Sequence, residues 1–82
     1  MWYVTRAEGH KLKHPVCSRD WDEKNKPNLR KKLRMRDGDG NIIYEGWADR
    51  ECFAPLDDYG EPNFGCCEIQ YYNSVTGKWE TL

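Results

Sequence analysis

The sequence predicts a mainly β fold: a small single domain of antiparallel hairpins, with four to six strands and at most one short helical turn. Three observations carry that expectation. In the segment 29–36 apolar and basic residues alternate, Leu33 and Met35 on one face and Arg30, Lys32, Arg34 and Arg36 on the other. Two turn-forming clusters, Asp37-Gly38-Asp39-Gly40-Asn41 and Asn73-Ser74-Val75-Thr76-Gly77, each separate a pair of strand-like runs. Finally, 82 residues with eleven aromatics and only thirteen Ile, Leu, Val and Phe fit one ring-rich core and leave no room for a second.

Taken in order, residues 1–17 have the composition of a hairpin: Trp2, Tyr3, Val4 and Thr5 favour extended backbone, Glu8-Gly9 supplies a turn, and 11–17 return. The stretch 18–28 is polar apart from Trp21 and reads as a loop pinned by that ring. Residues 28–48 form the clearest hairpin. Its doubled Asp-Gly leaves two registers open, with Glu45 opposite Arg34 in one and Lys32 in the other. Both place Leu33 and Met35 with Ile42 and Tyr44, and put Ile43 and Trp47 on the basic face. In 49–65, Pro55, Asp57-Asp58, Gly60 and Pro62-Asn63 argue for a loop, with one helical turn near 50–56 as the most it holds. Residues 66–82 form another hairpin, in which Tyr71 and Tyr72 face opposite ways and one of them stays accessible.

Charge is sorted along the chain. Residues 1–36 carry about +7 and residues 37–82 about −8 within a formal total of −1. Such sorting means either neutralisation within the fold or two opposite surfaces offered to partners. No apolar run approaches the roughly 18 residues of a membrane span, and no N-terminal targeting pattern is visible, so a cytoplasmic protein is expected. Cys17, Cys52, Cys66 and Cys67 do not form a disulfide framework, since adjacent Cys66 and Cys67 would face opposite ways in a strand.

No phosphate-cradling glycine loop, nucleophile elbow or His-Glu-x-x-His pattern occurs, so neither an enzyme nor a cofactor or small-molecule substrate is expected. Three constellations remain. Arg30, Lys32, Arg34 and Arg36 would stand about 6.6 Å apart beside Trp47, a spacing suited to nucleic-acid phosphates or an acidic partner. A solvated strand face paired across the hairpin is the plainer account of the same pattern. Asp49, Glu51, Asp57, Asp58, Tyr59 and Glu61 form an acidic, aromatic stretch able to imitate phosphates toward a basic protein, although turn chemistry alone also explains its composition. His10, His14 and Cys17 have a spacing that would reach zinc with Cys52, Cys66 or Cys67, but lack paired Cys-x2-Cys knuckles. The run from Asp37 is not a calcium loop, because Ile42 and Ala48 stand where glycine and glutamate are needed.

Three segments, Asp37-Gly38-Asp39-Gly40-Asn41-Ile42-Ile43-Tyr44-Glu45-Gly46, Phe53-Ala54-Pro55-Leu56-Asp57-Asp58-Tyr59-Gly60-Glu61-Pro62-Asn63, and Glu68-Ile69-Gln70-Tyr71 through Gly77-Lys78-Trp79-Glu80, resemble small uncharacterised proteins of bacterial mobile elements and phages. The resemblance covers about 34–82. It implies an accessory protein and supplies no activity and no catalytic residues. The expected function is binding of a macromolecular partner, nucleic acid or a nucleic-acid-handling host protein. The alternatives are an acidic-surface inhibitor of host defence machinery, in the manner of anti-CRISPR proteins, and a zinc-stabilised structural module.

Overall fold

In the computed structural model, which describes residues 1–82, the hairpin with the strongest alternation sits at the centre of the molecule. It consists of β3 (Lys31–Arg36) and β4 (Ile42–Ala48). Its turn is organised by Asp37, whose Oδ1 accepts hydrogen bonds from the backbone N–H of Asp39 at 3.0 Å and of Asn41 at 2.9 Å. Gly40 takes the left-handed conformation there, at φ +83°. Of the two registers open in the sequence, the fold adopts the one that sets Arg34 opposite Glu45. The ladder then slips by one residue, so that Met35 faces Tyr44 while Arg36 faces Ile42, and Ile43 bulges inward. Strict alternation is overturned at this point: Ile43 is 5% exposed and Ile42 41%.

Four further strands complete a six-stranded antiparallel sheet: β1 (Trp2–Ala7), β2 (His10–Cys17), β5 (Glu68–Asn73) and β6 (Lys78–Thr81). The spatial order is β2-β1-β4-β3-β5-β6, three consecutive hairpins laid edge to edge. Gly46 allows the first of them to dock. A Cβ there would overlap the Tyr3 carbonyl oxygen and lie 2.9 Å from Val4 Cα.

One face of this sheet is covered. Trp2, Val4, Leu33, Met35, Tyr44, Ala48, Ile69 and Tyr71 turn toward a helical segment, 56–64, that contributes Leu56 and is followed by Cys66. The Tyr59 ring packs 4.8 Å from that of Tyr44 and 6.2 Å from that of Trp2. Burial, followed by Tyr59, pushes the Tyr44 hydroxyl up to about 12. Buried Tyr71 donates its hydroxyl to the Cys52 carbonyl at 2.8 Å and accepts from the Cys52 N–H at 3.3 Å, which ties the chain after β4 to β5.

Both connections expected as loops are more ordered than their composition suggested. Glu23–Asn28 is a 3₁₀ turn, capped by Asp22 accepting from the Lys24 N–H. The other contains a π turn, Leu56–Gly60, that continues into an α-helical turn, Glu61–Phe64. Its prolines and glycines have positional roles instead of breaking it. Pro55 stands at the start, where no intrahelical donor is required. Gly60 lies so close to β3 that a Cβ would come within 2.5 Å of Met35 Sδ, and Gly65 ends the segment at φ +68°. No helix is long and apolar enough to cross a membrane. All four cysteines are free thiols.

Candidate nucleic-acid interface

The other face of the sheet is covered only at Tyr3, by Trp21 and by Lys26 of the 3₁₀ turn, and its side chains fall into rows because residues paired across strands project to the same side. One row runs Tyr3, Trp47, Lys32 across β1, β4 and β3. Continuing the β3–β5 register one step sets Tyr72 beside Lys32, and Tyr72 in turn pairs with Trp79 of β6. The next row is Arg6, Glu45, Arg34, Gln70 and Thr81, followed by Ile42, Arg36 and Glu68. Aromatic rings thus line one end of the face and charged groups the rest.

Most of these charged groups have partners within the rows, Lys11 opposite Arg6 on β2 being without one. Arg36 Nε donates to Glu68 Oε1, and Thr81 Oγ1 donates to Glu68 Oε2 at 3.0 Å. Gln70 links this pair to its neighbour, accepting from Arg34 Nε at 2.7 Å and donating to Thr81 Oγ1 at 3.0 Å. The Arg36 hydrogen bond holds the Glu68 carboxyl below its ordinary range and raises the Arg36 guanidinium. Desolvation, with Arg36 adding to it, draws Arg34 down, and its guanidinium lies 4.3 Å from the Trp79 ring centre. Glu45 faces Arg34 in the register, yet its carboxylate forms its ion pair with Arg6, at 3.5 Å. Neutralisation across the sheet therefore occurs for Arg6 through Glu45 and for Arg36 through Glu68, whereas Arg34 is held by the uncharged Gln70 amide and keeps its charge.

The aromatic row is left open at its centre. Tyr3 is occupied by Trp21, whose ring is 5.2 Å away, and by the Lys26 ammonium 5.6 Å from its centre. Trp79 leans edge-on against Tyr72 at 5.4 Å. Between Trp47 and Tyr72 the face opens into a cleft of about 650 Å³ lined by Arg30, Lys32 and the β5–β6 turn at Val75. Tyr72 is 38% exposed. The carboxylates at the rim are engaged: Glu51 pairs with Lys31 at 3.5 Å and Glu80 accepts from Asn73 Nδ2 at 3.3 Å. Neither Arg30 nor Lys32 enters an ion pair.

The other candidates are dispersed. Asp49 holds the Met1 ammonium at 3.0 Å, with Asp20 at 3.4 Å, and Glu51 is committed to Lys31. Tyr59 turns into the core instead of outward. Asp57, Asp58 and Glu61 do remain exposed on the helical segment, on the side of the sheet away from Lys32. His10 and Cys17 sit at opposite ends of β2, opposite Ala7 and Tyr3, and no three His, Cys, Asp or Glu side chains converge anywhere. The zinc constellation is thus not assembled, because β2 is extended where ligation would need it folded back.

No family model, curated protein or solved structure is similar enough to this chain to mark kinship. The candidate interface is therefore described by its geometry alone. Sequence reasoning placed Arg30, Lys32, Arg34, Arg36 and Trp47 together and missed Tyr3, Gln70, Tyr72 and Trp79 as their neighbours. The signal available was parity, since Glu68, Gln70 and Tyr72 share one side of the strand and Ile69 and Tyr71 the other. What was lacking was the pairing of β3 with β5, which brings together residues far apart in the chain.

Proposed function

We propose that the protein is a non-catalytic single-stranded nucleic-acid-binding accessory protein that uses the face of its sheet opposite the helical segment. The observation that carries this reading is the row Trp47, Lys32, Tyr72, in which an unpaired ammonium stands between two accessible rings. Phosphate attraction beside base stacking is the combination that single strands reward, because only unpaired bases expose their ring faces. Duplex DNA fits the same surface poorly, as a flat row of short-reaching rings has no groove-entering helix or ribbon. The setting in a bacterial mobile element or phage is part of the proposal and rests on the resemblance of residues 34–82.

Fluorescence anisotropy with twelve-nucleotide single-stranded DNA, single-stranded RNA and duplex DNA tests it. Binding of the single strands is expected at 20 mM salt, weakening as salt rises. Lys32→Glu is expected to lower affinity on the order of tenfold, by removing one phosphate contact and adding a repulsive one. Absence of binding to either single strand at 20 mM salt would overturn the reading.

A further inference from the structure

We propose that the cleft between Trp47 and Tyr72 is a clamp for one unpaired base, with the two flanking phosphates held by Arg30 and Lys32, so that the site spans about three nucleotides and not the width of the sheet. This inference rests on the single-strand reading above and adds to it where on the face the strand sits and how much of it is engaged.

The spacing of the strands sets the clamp. Trp47 on β4 and Tyr72 on β5 are separated by β3 alone, a gap of about two interstrand steps, roughly 9.6 Å. A planar base set midway between the two strands would be about 4.8 Å from each strand axis, which leaves room for offset stacking on rings that project from them. Lys32 forms the floor of that gap, and Arg30, which shares its parity, lines the same cleft. The other cations of this face are either held within it or far from the cleft: Lys11, opposite Arg6 on β2, is exposed and enters no ion pair, but it stands on the outer strand of the sheet, with β1 between it and β4. Arg36 is spent on Glu68, Arg34 on Gln70 and the Trp79 ring, and Arg6 on Glu45. Tyr3, the next ring in the row, is already covered by Trp21 and Lys26. Within the cleft itself, two cations without ion pairs and two rings are open to a ligand.

The count of phosphates makes the proposal measurable. Affinity for a single strand falls with log salt at about −0.7 per neutralised phosphate, so two cations give a slope of about −1.4, whereas use of Arg6, Arg30, Lys32, Arg34 and Arg36 together would give about −3.5. Oligodeoxythymidylates of two, three, four, eight and twelve nucleotides are titrated at several salt concentrations, with tryptophan quenching as the signal. The expected result is a per-register affinity that stops rising at about three nucleotides, and a slope near −1.4 that is the same for the four-mer and the twelve-mer. Tyr72→Ala, at a surface position, is expected to lower affinity between about 5-fold and 150-fold, and Tyr72→Phe to restore it, since stacking needs the ring and not the hydroxyl. A slope that steepens toward −3.5 with length, or a Tyr72→Ala variant that binds as the parent does, overturns the clamp while leaving single-strand binding intact. Failure of every oligonucleotide to bind overturns both.

Discussion

Gly46 stands where two hairpins meet at less than the ordinary distance, and the fold depends on its lacking a side chain. Its neighbours across the ladders are Leu33 and Val4, both fully buried, so a methyl group has nowhere to go except into the β1 backbone. Gly46→Ala is expected to destabilise the protein by roughly 2–3 kcal/mol, the range for overpacking a tight interior, and to do so by loosening β1 from β4. Urea denaturation provides the value, and hydrogen exchange in β1 locates it. A loss below about 0.5 kcal/mol would mean that β1 is free to move away. A glycine within a strand does signal a close approach, but the sequence does not say which backbone approaches. Tyr71 shows the same limit: alternation made one of Tyr71 and Tyr72 the buried one, while its hydroxyl partner, Cys52, became visible only once the chain was folded.

Among the elements, the β3–β4 hairpin owes its turn to a carboxylate, and that makes its stability depend on acidity. The Asn41 N–H, together with the Asn41 side chain and the backbone of Asp39 and Gly40, holds Asp37 below the usual carboxylate range. Ser18 does the same for Asp20, and Arg36 for Glu68. A group whose folded value is depressed stabilises the protein above its unfolded value, about 3.9 for Asp and 4.3 for Glu, and loses that contribution as pH falls through the folded value. Stability is therefore expected to decline below about pH 4.5. Asp37→Asn keeps the accepting oxygen and removes the charge, so its deficit relative to the parent, measured by urea midpoint, is expected at pH 7 and expected to shrink by pH 2.5. A deficit that is constant with pH contradicts this account. The three hairpins were legible because turn chemistry and alternation are local. The bulge at Ile43 was not, since it is set by the inward pull of a core that includes β1 and β5. Segment 56–64 was missed for a related reason: Pro55, Gly60 and Pro62 count as breakers until the surface of β3 explains them.

For the molecule as a whole, the sorting of charge along the chain becomes a sorting across the sheet, although a reduced one. Lys32 and Arg30 remain open on one side of the sheet, and Asp57, Asp58 and Glu61 on the helical side, with a shortest molecular dimension of 21 Å. At physiological ionic strength the screening length is about 8 Å, so the two sides act independently, and only near 10 mM salt do they influence one another. The strand order carries a separate consequence, for the time course of folding. Each hairpin closes over a short turn, but β1 reaches β4, and β3 reaches β5, only by joining residues as distant as Trp2 and Ala48 or Leu33 and Tyr71. The β3–β4 unit is the template on which both outer hairpins must land, so it belongs in the rate-limiting nucleus. Gly40→Ala, which strains the left-handed turn, is expected to slow refolding, whereas Val16→Ala on the outer strand β2 is expected mainly to speed unfolding, a difference read from the two arms of a chevron plot. The charge-bearing strand would then be among the first parts of the chain to settle, before the outer hairpins have docked against it.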